Sequence, residues 1–290
     1  MKIGPAQAWI NVNGKLCESP QWDADTQLLY WNDIDSGHLY RLDWANQTTQ
    51  QPERIYEGPI VGGFTQQRDG SLLLFREADV AIFRPGDAEA RSVIPFNHAG
   101  SKRFNDVIAS PEGDVFAGTI GKTDTSGGLF RIGREGSVMQ VADGTGCSNG
   151  LGFTLDLKHL FWTCSTRRRI YRFPYSPGGE LGEPVIFHQG SEEQGYPDGL
   201  TLDSEGNVYS IRWTAQKYGL IVFNPDGVVI HQQTLPPRAS SSLCFCGPTL
   251  TDLAITSAAE ASDPDREADL YHIADMPIPG RLEFRSEVCS

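Results

Sequence analysis

The sequence repeats one pattern six times, and this repeat constrains the fold more than any other feature. Each copy holds a polar turn-like motif, a short apolar stretch, a glycine-containing turn, and aromatic-rich strands ending in a Leu-Tyr-Arg-like pattern. A period of about 40 to 50 residues with four short strands per unit is typical of a β-propeller. The sequence therefore predicts an all-β, six-bladed β-propeller. The copies begin near Glu18, Phe64, Asn105, Asn149, Asp198 and Ser242.

The repeats follow one another without a linker, a low-complexity segment or a change in composition. We therefore expect residues 1–290 to form a single domain, a length that propellers and barrels commonly use as one unit. A β-sandwich, or two smaller β domains, is the alternative, but it fits the regular period less well. The stretch from Ala6 to Val12 precedes the first copy, and we expect it to close the ring by adding a strand to the last blade.

The charge of the chain bears on its partners and location. The formal net charge is −13, which argues against nucleic acid, because a polyanion is bound by clustered Lys and Arg. No apolar run approaches the roughly 18–20 residues that span a bilayer, so we expect no membrane partner. Met1 to Ile10 lacks the basic and apolar regions of a secretion signal, which favours a cytoplasmic location. The oligomeric state is left open.

Several other kinds of site are not indicated. The six cysteines include no CxxC pair with the spacing of a zinc site, and free thiols are expected. None of the six histidines stands at the start of a copy. A Gly-x-Ser-x-Gly elbow, a Walker loop and a dinucleotide-binding fingerprint are all missing from the sequence.

Oxygen-bearing side chains recur at one position of the repeat. Glu18, Asn105, Asn149 and Asp198 start four of the six copies, at separations of 87, 44 and 49 residues. In a propeller the innermost strands line the central channel, so these residues are expected to face one another. Singly, Asn149-Gly150 and Asp198-Gly199 are ordinary turn dipeptides. Their shared position instead favours one divalent metal ion in the channel, held by the oxygens of Glu18, Asn149 and Asp198.

Arg103 and Asn105 form a second candidate pair. Residues two apart in an extended chain point to the same side, so Arg103 is expected to face the channel beside Asn105 and to orient an anionic or hydroxyl-rich ligand. The alternative is a surface arginine paired with a nearby acid. Asp106 is adjacent to Asn105 and should point away, which suggests a structural role.

Four motifs together resemble a known family. Glu18-Ser-Pro, Arg103-Phe-Asn-Asp, Ser148-Asn-Gly and Pro197-Asp-Gly are similar, in this order, to motifs of the SMP-30/gluconolactonase/regucalcin-like family, and the likeness runs from about residue 16 to about 258. The resemblance implies one divalent cation on Glu18, Asn149 and Asp198. It also implies that Asp198 is the acid/base residue and that Arg103 and Asn105 hold the substrate.

The resemblance further implies an activity. Family members resemble sugar-lactone hydrolases, so we expect metal-dependent hydrolysis of a sugar lactone to the aldonic acid. The metal, whether Ca²⁺, Zn²⁺, Mn²⁺, Mg²⁺ or Fe²⁺, is left open. Some relatives place a substrate-binding glutamate where this chain has residues 120–124, including Thr123, which leaves the sugar open as well. The alternatives are an organophosphate hydrolase and a non-catalytic propeller that binds calcium or a metabolite.

Overall fold

The computed structural model describes residues 1–48, 51–214, 217–237, 239–259 and 268–290. Within these ranges the regular secondary structure consists of β-strands and one short 3₁₀ helix at Trp44–Asn46. The chain divides into two compact units, Met1–Glu57 with His188–Leu282, and Gly58–Phe187 with Glu283–Ser290. The described residues contain no helix of the length and hydropathy needed to cross a membrane.

The first unit carries three four-stranded antiparallel sheets. In sheet order, the strands are β1 (Gln7–Ile10), β25 (Leu270–Ile273), β24 (Asp252–Ser257) and β23 (Ser240–Cys246); β2 (Cys17–Asp23), β3 (Leu28–Asp33), β4 (His38–Asp43) and β5 (Glu53–Glu57); and β19 (Tyr196–Leu202), β20 (Val208–Trp213), β21 (Leu220–Phe223) and β22 (Val229–Gln233).

The second unit carries the other three sheets. Their strands, in sheet order, are β6 (Val61–Gln66), β7 (Leu72–Arg76), β8 (Asp79–Phe83) and β9 (Arg91–Pro95); β10 (Ser101–Ala109), β11 (Val115–Gly121), β12 (Gly127–Ile132) and β13 (Val138–Thr145); and β14 (Ser148–Phe153), β15 (His159–Cys164), β16 (Arg169–Ser176) and β17 (Glu180–Leu181). A fifth strand, β18 (Val185–Gln189), pairs with β16, and its last two residues belong to the first unit.

Each sheet corresponds to one copy of the sequence repeat, and each is one blade. The predicted all-β, six-bladed β-propeller is therefore confirmed. The predicted closing strand is confirmed too, because β1 pairs with β25 through Gln7↔His272 and Ala8↔Tyr271. The Asp269 carboxylate strengthens this closure by accepting hydrogen bonds from the backbone N–H groups of Val12 at 2.5 Å and Gly14 at 3.1 Å.

The middle strands of the blades are buried on both faces, which explains why they read as continuous apolar runs rather than alternating ones. In β7, the side chains from Leu72 to Phe75 are all buried. Phe75 belongs to a cluster in the second unit with Phe96, Phe104 and Phe130. Phe104 matters for the site because it immediately precedes Asn105 and is fully buried.

The last residues of the chain pack onto the second unit. Ser286 lies beside Gln67 in a parallel bridge, and its backbone exchanges hydrogen bonds of 2.9 Å with Gln66 and Arg68. The backbone N–H of Val288 donates to the Gln67 side chain at 2.8 Å, and the Val288 side chain is fully buried in the same cluster as Phe104. This C-terminal segment, Glu283–Ser290, therefore completes a core whose other residues come from the middle of the chain.

Candidate functional site

The predicted site residues lie where the innermost strands depart from regular pairing. The strand register shifts between Glu18 and Gln21, between Phe104 and Val107, between Asn149 and Leu151, and between Pro197 and Leu200. Bulges of this kind re-aim side chains and are common next to functional sites. The four oxygen-bearing residues at these breaks are each only 4% to 6% exposed, and they are Glu18, Asn105, Asn149 and Asp198.

In the second unit, the structure brings three predicted residues into one hydrogen-bonded chain. The Arg103 guanidinium donates from Nη1 to Asn105 Oδ1 at 2.6 Å and to the Phe104 carbonyl at 2.9 Å. The Asn105 amide in turn donates from Nδ2 to Asn149 Oδ1 at 2.6 Å and to the Ser148 carbonyl at 2.9 Å. The prediction that Arg103 and Asn105 share one side of β10 is confirmed.

Ser165 and Cys147 fix the orientation of the Asn149 amide. Asn149 Nδ2 donates to Ser165 Oγ at 2.8 Å and contacts Cys147 Sγ at 3.4 Å. Both amide hydrogens thus point toward these two side chains, and Oδ1 points toward Asn105. An amide oxygen has two lone pairs. One receives the Asn105 hydrogen bond, and the other remains for a further donor or a cation.

In the first unit, β23 links the strands that carry Glu18 and Asp198. Ser241 Oγ donates to the carbonyl of Cys17, the residue before Glu18, at 2.6 Å. On the other side, Gly199 follows Asp198 and lies directly against Ser242: a Cβ added to Gly199 would stand 2.5 Å from Ser242 Cα and 2.4 Å from its Oγ. Only glycine allows this approach.

Residues 120–124 begin across from Arg103. Ile120 is the cross-strand partner of Arg103 and also forms a bridge with Cys147. The following residues, Lys122 to Asp124, are exposed. Residues 120–124, where the resemblance leaves the sugar open, therefore begin at the edge of the Arg103 network.

Asp106 is a buried acid next to this network. Burial raises the pKa of its carboxyl to about 7, and the positive charge of Arg103 opposes that rise. Asp106 was expected to be merely structural, and its electrostatic link to Arg103 was not anticipated.

Replacing Asp106 by asparagine should make stability less dependent on pH. Because the folded-state pKa lies above the usual value of 3.8, the folded protein holds a proton that the unfolded chain loses as pH rises from about 4 to 7. This contribution to stability is complete below that window and is lost through it. We expect the difference in Tm, Asp106→Asn minus wild type, to increase by about 5 °C from pH 5 to pH 8. Thermal unfolding across this range measures it.

The exposed Asp87 provides the control, since Asp87→Asn also removes a carboxyl group but leaves the buried Asp106 in place. A constant difference between Asp106→Asn and wild type from pH 5 to pH 8 would contradict the assignment.

Sequence reasoning missed the supporting residues. Nothing in the sequence marks Ser165, because its contact with Asn149 depends on the turn after β15. Cys147 lies only two residues before Asn149, but it belongs to no motif that predicts their contact.

The predicted metal ligands differ from donor sets made only of His, Cys, Asp and Glu. Among the described residues, no group of three or more His, Cys, Asp or Glu side chains is placed to hold a metal. The predicted set instead mixes two carboxylates with the Asn149 amide, and hard oxygen donors of this kind suit divalent cations. The chemistry of Glu18, Asn149 and Asp198 therefore fits such an ion.

Comparison with known proteins places this chain in a family. Residues 16–259 match the model of the SMP-30/Gluconolactonase/LRE-like region. The chain belongs to the SMP-30/gluconolactonase/LRE-like family. Its predicted resemblance is confirmed, and the motifs around the Arg103 network lie within the matched region.

Two curated relatives match nearly full length. The pentonolactonase XacC of Haloferax volcanii is 36% identical, over 96% of this chain and 97% of its own. The 6-deoxy-6-sulfogluconolactonase of Pseudomonas putida is 31% identical, over 91% and 89%. Among solved structures, the calcium-binding protein regucalcin of Agrobacterium tumefaciens superposes with a TM-score of 0.87 at 19% identity, covering 98% of this chain and 99% of its own. That likeness supports the fold.

Proposed function

We propose that this protein is a metal-dependent lactonase that hydrolyses a sugar lactone to the aldonic acid. The observation that carries the proposal is the hydrogen-bonded chain from Arg103 through Asn105 to Asn149, which joins both predicted substrate-binding residues to a predicted metal ligand. The names of the two nearly full-length relatives, a pentonolactonase and a sulfogluconolactonase, support the same reaction class.

The proposed metal ligands are Glu18, Asn149 and Asp198. A divalent cation bound there would polarise the lactone carbonyl and lower the pKa of a bound water. Glu18 and Asp198 are both buried and carry hard carboxylate oxygens, the donors that divalent cations prefer, which supports a cation at this donor set. The likeness to a calcium-binding regucalcin makes Ca²⁺ one candidate, alongside Mg²⁺, Mn²⁺, Zn²⁺ and Fe²⁺.

The side chains of this protein would bind the substrate and transfer the proton. Arg103 and the remaining lone pair of Asn105 Oδ1 would bind the ring hydroxyls and hold the lactone in place. Asp198 would accept a proton from water as the water oxygen bonds to the carbonyl carbon, and it would return that proton to the ring oxygen when the ring C–O bond breaks. The product is the open-chain hydroxy acid.

Removing the Ser165 hydroxyl should weaken metal binding. Ser165→Ala deletes the 2.8 Å acceptor that holds Asn149 Nδ2, so the amide oxygen is no longer held in one orientation. Loss of a supporting hydrogen bond at a metal site typically costs 10- to 100-fold in affinity or activity, and we expect about tenfold here. Metal affinity by titration calorimetry tests this, with the exposed Ser137→Ala as control. An unchanged metal Kd in Ser165→Ala would contradict the role.

Replacing Arg103 should act mainly on substrate binding. Arg103→Met keeps the length of the side chain but removes its donors, so we expect KM to rise about tenfold or more with a smaller change in kcat. The neighbouring Lys102 is exposed, and Lys102→Met should leave both constants unchanged. A fall in kcat without any change in KM would show that Arg103 does not hold the substrate.

The direct test is lactone hydrolysis followed with a pH indicator. The substrates are gluconolactone, xylonolactone, arabinonolactone, galactonolactone and rhamnonolactone, assayed with chelator and then with each candidate metal restored. Metal-dependent acid release above the spontaneous rate supports the lactonase and ranks its substrates. The absence of release with every metal would refute it and would favour either a phosphotriester hydrolase, assayed with an aryl phosphotriester, or a binding protein without turnover.

A further inference from the structure

Trp162 is a buried residue of β15 that lies beside the candidate site and has no part in the proposed reaction. Its side chain is only 4% exposed, and its indole N–H donates to Ser148 Oγ at 2.6 Å. Ser148 is itself fully buried and directly precedes Asn149, a proposed metal ligand. Because an indole nitrogen can only donate, and a buried donor needs an acceptor, this bond ties the Trp162 ring to the serine.

The bond crosses the break in β14 that carries Asn149. The pairing of β14 with β15 shifts after Asn149 and resumes at Leu151, whose partner is Trp162. Trp162 is therefore paired through its backbone on the far side of the bulge, while its indole reaches back to Ser148 on the near side. A bulge disrupts the ladder locally and bends the strand. The indole bond thus ties together the two segments of β14 that flank Asn149.

Ser148 lies where the substrate-binding and metal-binding parts of the network meet. Its carbonyl accepts the hydrogen bond from Asn105 Nδ2 at 2.9 Å, and the next residue is Asn149. Its hydroxyl lies against Gly118 of β11, where an added Cβ would stand 2.1 Å from Ser148 Oγ. The hydroxyl is thus held between the Trp162 indole and the Gly118 backbone. A shift of Ser148 would move both the carbonyl that holds Asn105 and the backbone of Asn149.

A second indole, in the first unit, separates the role of the Trp162 ring from that of its N–H. Trp31 of β3 stacks on its tyrosine partner in β4 with 5.5 Å between ring centres, and Trp162 stacks on its tyrosine partner in β16 at 5.6 Å. The residue before the proposed ligand Glu18 is Cys17, where the other sheet has Ser148. Within the described part of the chain, no residue accepts a hydrogen bond from Trp31 Nε1. The stacked pair therefore forms without such a bond.

We propose that Trp162 is a positioning residue for the candidate site. Through Ser148, its indole N–H holds Asn105 and Asn149 in the orientation that binds substrate and metal. The consequence for binding rests on the proposed lactonase function, whereas the alignment of the two amides is a property of the metal-free protein. Loss of a hydrogen bond that supports a metal ligand typically costs 10- to 100-fold in affinity or activity.

Trp162→Phe tests the proposal, because it removes the N–H and keeps an aromatic ring. We expect the metal Kd, measured by titration calorimetry, to rise about tenfold. The matched control is Trp31→Phe, which loses the same volume from a similarly buried stacked pair. It should lower Tm to a similar extent and keep the wild-type metal Kd. An unchanged Kd in Trp162→Phe, or an equal rise in both variants, would overturn the proposal.

A double-mutant cycle distinguishes the hydrogen bond from general packing. Ser148→Ala removes the acceptor and should also raise the metal Kd about tenfold. Because both changes delete one bond, the variant that combines Trp162→Phe with Ser148→Ala should again show a loss of about tenfold, well short of the product of the two single effects. Fully additive losses would show that the two residues act independently and would overturn the proposal.

A crystal structure of metal-free Trp162→Phe keeps this inference separate from the proposed function. Relative to the wild type, we expect Asn105 to lose its bond to the Ser148 carbonyl and the Asn149 side chain to move. An unchanged network would overturn the positioning role even in an active lactonase. A displaced network would support the role even if the wild type neither binds metal nor hydrolyses lactones. If Trp162→Phe does not fold, Ser148→Ala carries the same test, because it deletes the acceptor and keeps the ring.

Discussion

Asp198→Asn should lose lactone hydrolysis while the protein stays folded. The substitution preserves shape but removes the negative charge that would hold the cation and accept the proton from water, so we expect kcat/KM to fall by about 10³-fold or more. The lactone assay with saturating metal measures the loss, and circular dichroism checks the fold. Metal affinity should fall in the same variant.

The control for this experiment is Asp226→Asn, which alters an exposed carboxyl in the same unit and should leave turnover unchanged. Wild-type turnover in Asp198→Asn would refute the proposed mechanism. Reduced metal binding combined with wild-type turnover would separate a ligand role from a catalytic one.

Gly199→Ala should damage both stability and activity. The new Cβ would lie 2.5 Å from Ser242 Cα, a backbone atom that cannot move without shifting β23. We expect Tm to fall by about 5 °C, because overpacked positions force backbone shifts. We also expect activity to fall by about 10²-fold, because the shift displaces the adjacent Asp198 and small misplacements of catalytic groups are costly.

Gly4→Ala is the matched control, because a Cβ at Gly4 would meet nothing closer than 3.9 Å. Gly4→Ala should therefore retain wild-type Tm and activity. If Gly199→Ala unfolds at the wild-type temperature, the close approach to Ser242 does not determine the position of Asp198.

The repeat was enough to predict the architecture because each copy carries its own turns and strands. The alternation of side-chain directions along a strand also predicted that Arg103 lies beside Asn105. It did not predict the 2.6 Å bond from Asn105 to Asn149, since a bulge in each strand changes which way these side chains point. Ser165 was missed for a related reason, because its contact with Asn149 is made across a turn.

Close contacts between backbone segments also could not be predicted from the sequence. Gly199 reads as half of a turn dipeptide, whereas the structure requires it for packing against Ser242. The ligand set of Glu18, Asn149 and Asp198 and the single-domain organisation both remain predictions.

The packing of Glu283–Ser290 onto the second unit has a consequence for synthesis on the ribosome. Residues 58–187 of that unit are translated long before its last eight residues, and at 5 to 20 residues per second the interval is roughly 5 to 20 seconds. During this time the nascent unit lacks the Val288 side chain and the backbone partners that Ser286 gives Gln66 and Arg68. During this interval the apolar core of the second unit is therefore incomplete, because Val288 belongs to the same cluster as Phe104 and Phe130.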